Sequence, residues 1–254
     1  QGLFMMGSRG ENFIQNISGT RAYTEFDTAS PAALGRRLCT YGPMRPGGAL
    51  RVLCDAKGGV LGSPAVSYDG RTVYFAMAPE GDPYFHVFEV GIDGTGLRQV
   101  TSGAFHDFDP EPLPDGRIAF SSTRTGSAEE YHGVAAFSLF SCNAQGADIR
   151  RITSHIVADR EPRVCSDGSL AFIRCDNFLE RAKVETHIHQ VRPDGTGGRI
   201  IIGPDRAPMT WDRFTGGESN SAWLRVFGAG VPAPLPGGFV AAVSEQGVVL
   251  SANQ

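Results

Sequence analysis

His106, Asp107, Asp109 and Glu111 crowd one short stretch, "HDFDPEP", of a 254-residue chain. An imidazole beside three carboxylates is the raw material of a hard-cation site or of an acid–base pair. Asp159 and Glu161 repeat the acidic-x-acidic spacing of Asp107 and Asp109, again directly before a proline. Carboxylates from two such places, gathered at one mouth of a ring, would bind a calcium-like ion or a polar ligand. His187 and His189 flank a single isoleucine, so on a strand both rings share a face, a two-ligand arrangement for a transition metal. A third ligand would come from His86 or His132. Arg124 and Arg174 stand after "FSST" and "LAFI", in matching positions at the ends of comparable strands, where paired guanidinium groups would hold an anionic ligand or a partner's carboxylate.

Each candidate has a plainer alternative. If residues 105–111 are extended, Asp107, Asp109 and Glu111 face one way and His106 and Phe108 the other, which separates the imidazole from the acids. Ser63, Asp109 and Glu161 occupy the same place before Pro64, Pro110 and Pro162, where a polar side chain can accept N–H bonds in a turn that lacks the proline's donor. Histidines are commonly packed or at the surface, and an arginine at a strand end commonly meets a surface acid for little gain. The chain has no Gly-x-Ser-x-Gly elbow, phosphate-binding loop or dinucleotide fingerprint, which argues against a serine hydrolase or a nucleotide enzyme.

The elements that must position these residues are set by a repeat. "PAVSYDGRTVYF" (64–75), "PEPLPDGRIAF" (110–120) and "PRVCSDGSLAF" (162–172) share a proline, an Asp-Gly turn and a strand closed by an aromatic. A weaker copy, "PAPLPGGFVAA", begins at Pro232. Interleaved are "VFEVGIDGTGLRQVTSG" (87–103), "LFSCNAQGADIRRITSH" (139–155) and "IHQVRPDGTGGRIIIG" (188–203), each reading as strand, two-residue turn, strand. The second departs from its neighbours at Gln145-Gly146-Ala147, where the others carry Asp-Gly-Thr. Asp69, Asp115 and Asp167 recur about every 50 residues, the length of a four-stranded propeller blade. The expectation is an all-β propeller of four-stranded blades, an incomplete ring spanning 1–254 as one domain. Its clear blades fall at about 60–203, with a long loop or insertion at 204–231 and the start of a further blade at 232–254.

Composition agrees. Gly 33 and Pro 16 against 20% charged residues favour turns and short strands. A net charge of −4 without a basic stripe argues against nucleic acid. No apolar run is long enough for a membrane-spanning helix, and no signal peptide is visible, so the chain reads as a fragment or a processed product. The 5 cysteines show no CxxC spacing and are expected as buried free thiols.

"SPAVSYDGRTVYFAM", "VGIDGTGLRQVTSG" and "DPEPLPDGRIAFSSTR" together resemble the TolB-type propeller repeat. Residues of about 49–203 are similar, more narrowly, to the propeller region of proteins related to the hydrazine synthase alpha subunit. That family's chemistry resides in c-type haem domains attached at CxxCH. This chain has no such sequence, so the resemblance implies neither covalent haem nor any other cofactor. It implies a scaffold, periplasmic or extracellular, that binds a protein partner or a small polar ligand at the propeller mouth as a module of a larger protein. Asp107, Asp109, Asp159, Glu161, Arg124 and Arg174 are the ligand-binding candidates. Oligogalacturonate lyases use a similar propeller with histidine-bound metal, so a metal-dependent lyase or hydrolase holding its ion at His187 and His189 is the alternative. An apolar patch around Trp211, Phe214, Trp223 and Phe227 would favour the binder.

Overall fold

The computed structural model describes residues 2–6, 37–128, 135–156, 158–178, 183–202, 233–235, 239–244 and 247–252. Side chains of 2–6, 175–178, 183–187, 202 and beyond 232 are not described, and the insertion expected at 204–231, with Trp211, Phe214, Trp223 and Phe227, lies outside the described residues. Every regular element among the described residues is a strand. The first sheet is β1 (Gly2–Met6), β2 (Arg37–Gly42) and β3 (Ala49–Asp55); the second is β4 (Val60–Val66), β5 (Thr72–Ala78), β6 (His86–Gly91) and β7 (Arg98–Gln99). The third is β8 (Asp107–Pro112), β9 (Ile118–Ser122), β10 (Ser138–Cys142) and β11 (Arg150–Arg151). The fourth is β12 (Ala158–Val164), β13 (Leu170–Phe178), β14 (Lys183–Val191) and β15 (Arg199–Ile202), and the fifth is β16 (Ala233–Leu235), β17 (Phe239–Ser244) and β18 (Gly247–Ala252). Strands run in sequence order across each sheet, the meander that short turns allow. Three complete four-stranded blades thus cover 60–202, as the repeat spacing predicts.

The chain divides into two compact units. Phe26–Gly126 and Phe140–Arg150 belong to one, Ser127–Leu139 and Arg151–Gln254 to the other. In the first unit the core lies between successive sheets. Leu38 and Leu53 meet Leu61, Phe75 and Met77, while Val87 and Val100 meet Ile118, Phe120, Phe140 and Cys142. Phe75 and Phe120 are fully buried, each side chain worth about 1.5–3 kcal/mol. Both faces of the middle strands are covered, which is why they read as apolar runs. Cys39, Cys54, Cys142 and Cys165 are buried and free, and burial raises the Cys54 and Cys142 thiols to about 11.

Three local devices repeat. First, the register of each inner strand shifts at Gly62/Ala65, Phe108/Glu111 and Arg160/Arg163, and the residue before proline takes a left-handed backbone: Ser63 φ 52°, Asp109 φ 51°, Glu161 φ 55°. The shared proline therefore marks a bulge, the unusual left-handed residue being held by the strand pairing on either side. Second, the Asp of each turn accepts the N–H two residues on, from Arg71 to Asp69, Arg117 to Asp115 and Ser169 to Asp167, at 3.0 Å each. In the outer hairpins Asp93 and Asp194 do the same for Thr95 and Thr196; in the Gln145-Gly146-Ala147 hairpin Asn143 takes over, its Oδ1 accepting from the N–H groups of Gln145 and Ala147. The sequence departure there is compensated two residues earlier.

Third, the glycine of each outer hairpin lies against the outermost strand of the preceding sheet. Gly94 faces Val52 O, Gly146 faces Val100 O and Gly195 faces Ile152 O, all three glycines at positive φ. A Cβ on Gly146 would overlap Val100 O, and one on Gly195 would stand 2.8 Å from Ile152 O. The seam is completed where the inner strand begins: Asp107 N–H donates to Phe85 O at 2.8 Å and Asp159 N–H to Phe137 O at 3.1 Å.

Candidate functional site

The expected alternation along 105–111 is interrupted by the bulge at Asp109; before it His106 and Phe108 share a face, their rings stacked, and Asp107, Phe108 and Asp109 are all buried. Asp109 receives hydrogen bonds from Ser63 Oγ at 2.7 Å and Ser121 Oγ at 3.0 Å, linking the bulges of the second and third sheets. Both of these partners are hydroxyls. Glu161, at the equivalent place, is 7% exposed.

Asp107 is fully buried and meets Arg124, whose Nη2 lies 2.8 Å from both carboxylate oxygens. Ser122 Oγ donates to Oδ1 of the same carboxylate at 2.5 Å and accepts from Arg124 Nε at 3.0 Å. The guanidinium lies over Phe105, Phe120 and Phe140, with ring centroids 4.5, 5.1 and 5.3 Å away. Such a pair is shielded from water and salt, unlike the surface contact foreseen for Arg124. In the fourth sheet Asp159, also fully buried, accepts from Arg174 Nε at 2.6 Å and Nη2 at 2.8 Å.

The two arginines are not in matching positions. Asp159 faces Arg174 directly across the strands, whereas Asp107 faces Ser122 and takes its arginine from two residues further on. The turn "STR" carries the side chain back to the same carboxylate position. In the second sheet that cross-strand place is apolar, Leu61 opposite Met77.

His86 and His106 border the Asp107 pair. His86 is 3% exposed, with Nδ1 3.9 Å from Asp107 Oδ2 and Nε2 3.9 Å from Asp82 Oδ2. His106 Nδ1 accepts the Phe85 N–H at 3.3 Å, and its ring stacks on Phe108 at 5.5 Å. A nitrogen that accepts carries no proton, so this imidazole is neutral. Burial, aided by the neighbouring His86, holds its pKa below the ordinary histidine value.

Of the proposed metal pair, the backbone of His187 stands opposite Arg174 and that of His189 opposite Phe172. The ring of His187, like the whole of His132, lies outside the described residues. The ring of His189 lies 5.7 Å from that of Phe172. Among the described residues no three His, Cys, Asp or Glu side chains are grouped to hold a metal ion.

Arg174 and His189 converge on a cavity of about 390 Å³ in the second unit. Phe172, Ile152 and Val191 give it apolar walls, Thr153 and Ser154 bring hydroxyls, and Gln190 and Arg199 stand on the β14–β15 side. Gln190 is buried and holds the site together: its amide donates to Ser169 Oγ and Asp167 Oδ2, and its carbonyl accepts from Arg199 Nε at 2.8 Å. Sequence reasoning passed over Arg199, Gln190 and Thr153. Their signal was in the repeat, where an arginine four residues after the hairpin glycine faces the third strand: Arg98 opposite Glu89, and Arg199 opposite Gln190.

No family model matches the chain. Among solved structures it is similar to hydrazine synthase of Kuenenia stuttgartiensis, 17% identical, TM-score 0.68, over 95% of this chain and 35% of that one. TolB from Acinetobacter baumannii is 17% identical, TM-score 0.53, over 86% of this chain and 49% of its own. An oligogalacturonate lyase in complex with manganese is 15% identical, TM-score 0.59, over 99% of this chain and 62% of its own. The chain therefore spans from about a third to three-fifths of the length of these proteins. At such identity the likeness speaks for architecture: the meandering sheets and their glycine seams are blades of a β-propeller, similar to those of TolB and hydrazine synthase.

Proposed function

We propose that the chain is a non-catalytic propeller scaffold that binds a small polar ligand or a protein partner, as a module of a larger exported protein. The observation that supports this reading is how the polar side chains are used. Asp107, Asp109, Asp159 and Arg124 are engaged in bonds within and between blades, whereas the cavity beside Phe172 and His189 keeps Arg199 and Ser154 at an open wall. Side chains locked in bidentate pairs have no freedom to shuttle protons, but a half-apolar cavity with a few convergent polar groups is the usual form of a binding site. Export rests on the resemblance of the repeats to the TolB type. The test is thermal unfolding of the chain with a panel of small polar molecules. A saturable rise in Tm for one of them, absent when Gly198→Leu fills the cavity, is the expected result, and no rise for any member counts against small-ligand binding.

A metal-dependent lyase or hydrolase is the second reading. It is favoured by His187 and His189 sharing one strand face in the β13–β14 register, and by the manganese-bound oligogalacturonate lyase having a similar fold. Elemental analysis after exhaustive dialysis separates the two. Stoichiometric metal that disappears in the double variant His187→Ala, His189→Ala would put the enzyme first, and a metal-free parent would remove it.

A further inference from the structure

We infer that the cavity between Ile152–Ser154 and strands β13–β15 binds a small organic carboxylate, a monoanion with an apolar body. The inference rests on the ligand-binding reading above and narrows it to a chemical class.

The charge comes from a substitution within the repeat. In the second sheet Arg98 faces Glu89 and makes an ion pair with it at 2.8 Å. In the third, Arg150 pairs with Asp148 at 2.7 Å. In the fourth, the place of Glu89 is taken by the neutral Gln190, which occupies the Nε of Arg199 without bringing a negative charge to it. Among the described residues Arg199 makes no ion pair, and no Asp or Glu lines the cavity. Asp167, whose carboxyl is held low first by Ser169 and least by Arg199, turns its oxygens to Ser169 and Gln190. Arg174 adds little net charge, because the buried Asp159 already pairs with it. One net positive charge suits a monoanion better than a phosphate dianion.

The remaining walls specify the rest of the ligand. Thr153 Oγ1 accepts the Leu139 N–H at 2.9 Å, which leaves its O–H to donate to a carboxylate oxygen. Phe172 and Ile152 form an apolar floor, and Ile200, 55% exposed, is a large apolar residue at the rim. At about 390 Å³ the space is at the lower end for small-molecule sites, which excludes a long chain or polymer from lying wholly inside. Gly198 leaves one wall open, since a Cβ there would meet nothing within 4 Å and its backbone is not left-handed.

The test uses the whole chain, with benzoate as probe and benzamide as its neutral isostere, titrated by calorimetry at low salt. The expected result is saturable benzoate binding, weakened about tenfold or more in benzamide and in Arg199→Ala, partly restored in Arg199→Lys, and abolished in Gly198→Leu. Unchanged unfolding midpoints show that the variants are folded. Equal binding of benzamide and benzoate, still blocked by Gly198→Leu, would overturn the carboxylate while leaving a polar-ligand site standing. Benzoate binding that Gly198→Leu does not disturb, or no binding by either probe, would overturn the assignment of this cavity; only failure of the wider ligand panel as well would overturn small-ligand binding.

Discussion

The sheets β4–β7 and β8–β11 carry the same bulge, the same Asp-bracketed turns and the same seam, yet fill one interior place with opposite chemistry. In the earlier sheet Leu61 packs opposite Met77; in the later one Asp107, Ser122 and Arg124 form a buried charged cluster. The backbone tolerates either, because the place lies between two sheets and asks only for volume and internal satisfaction. What differs is the penalty for error. An apolar pair trimmed by a methyl group leaves a small void, while a charged cluster missing one member leaves a stranded ion.

Removing the carboxylate breaks the comparison most sharply. Asp107→Ala strands Arg124 among three aromatic rings and should cost about 3–5 kcal/mol in guanidinium unfolding. Importing the earlier sheet's chemistry, as Asp107→Leu with Arg124→Met, should recover most of that loss. If the double variant is no better than Asp107→Ala, the two places are not interchangeable.

The turn glycines give the next largest effect. Gly116→Ala, at φ 85° with open space around it, should cost about 1–2 kcal/mol from backbone strain alone. Gly146→Ala, at φ 79° and overlapping Val100 O, should cost about 1–3 kcal/mol more. Equal losses would mean that the seam yields without resistance.

At the bulge, Asp109→Ala deprives Ser63 and Ser121 of their acceptor and should cost about 1–3 kcal/mol. Asp109→Asn keeps an acceptor and a residue type tolerant of left-handed φ, and should cost less than half as much. A larger loss in Asn than in Ala would show that the negative charge itself is required.

The smallest effect is one of pH. His106 has a lowered pKa in the folded chain, so its neutral form is favoured there. The fold should be fully supported above the unfolded value of 6.5 and lose stability as pH falls below it, until the folded pKa is passed. His106→Gln, able to keep an acceptor for the Phe85 N–H, should flatten the Tm profile between about pH 7 and pH 5. A profile as steep as the parent's would assign the titration to another group.

The propeller was legible in the chain because its signals are backbone requirements. Glycine at positive φ, aspartate bracketing a turn and proline after a bulge leave the same residues at the same spacing each time. Site geometry was less legible. Arg124 and Arg174 look equivalent when counted from the strand ends, but the register gives them different partners on the facing strand, and no count along a single strand reveals that. The alternation read along 105–111 is limited for a related reason, since the left-handed residue at Asp109 introduces a bulge that the sequence does not announce. Gln190 was readable in principle, as the amide standing where the second sheet has Glu89, but only once Glu89 and Arg98 were known to face each other.

The glycine seam bears on how such a chain can change over generations. Because neighbouring sheets meet there through main-chain atoms, that contact reads almost nothing of side-chain identity, in contrast to the apolar core between the same sheets. A change such as Glu89 to Gln190 leaves that contact untouched, whereas Leu61 and Met77, packed against Leu38 and Leu53 of the preceding sheet, can change only together with their neighbours. A duplicated blade therefore brings the main-chain part of its joint with it and has only the core side to refit, so new recognition surfaces can arise in one copy while the others go on holding the architecture.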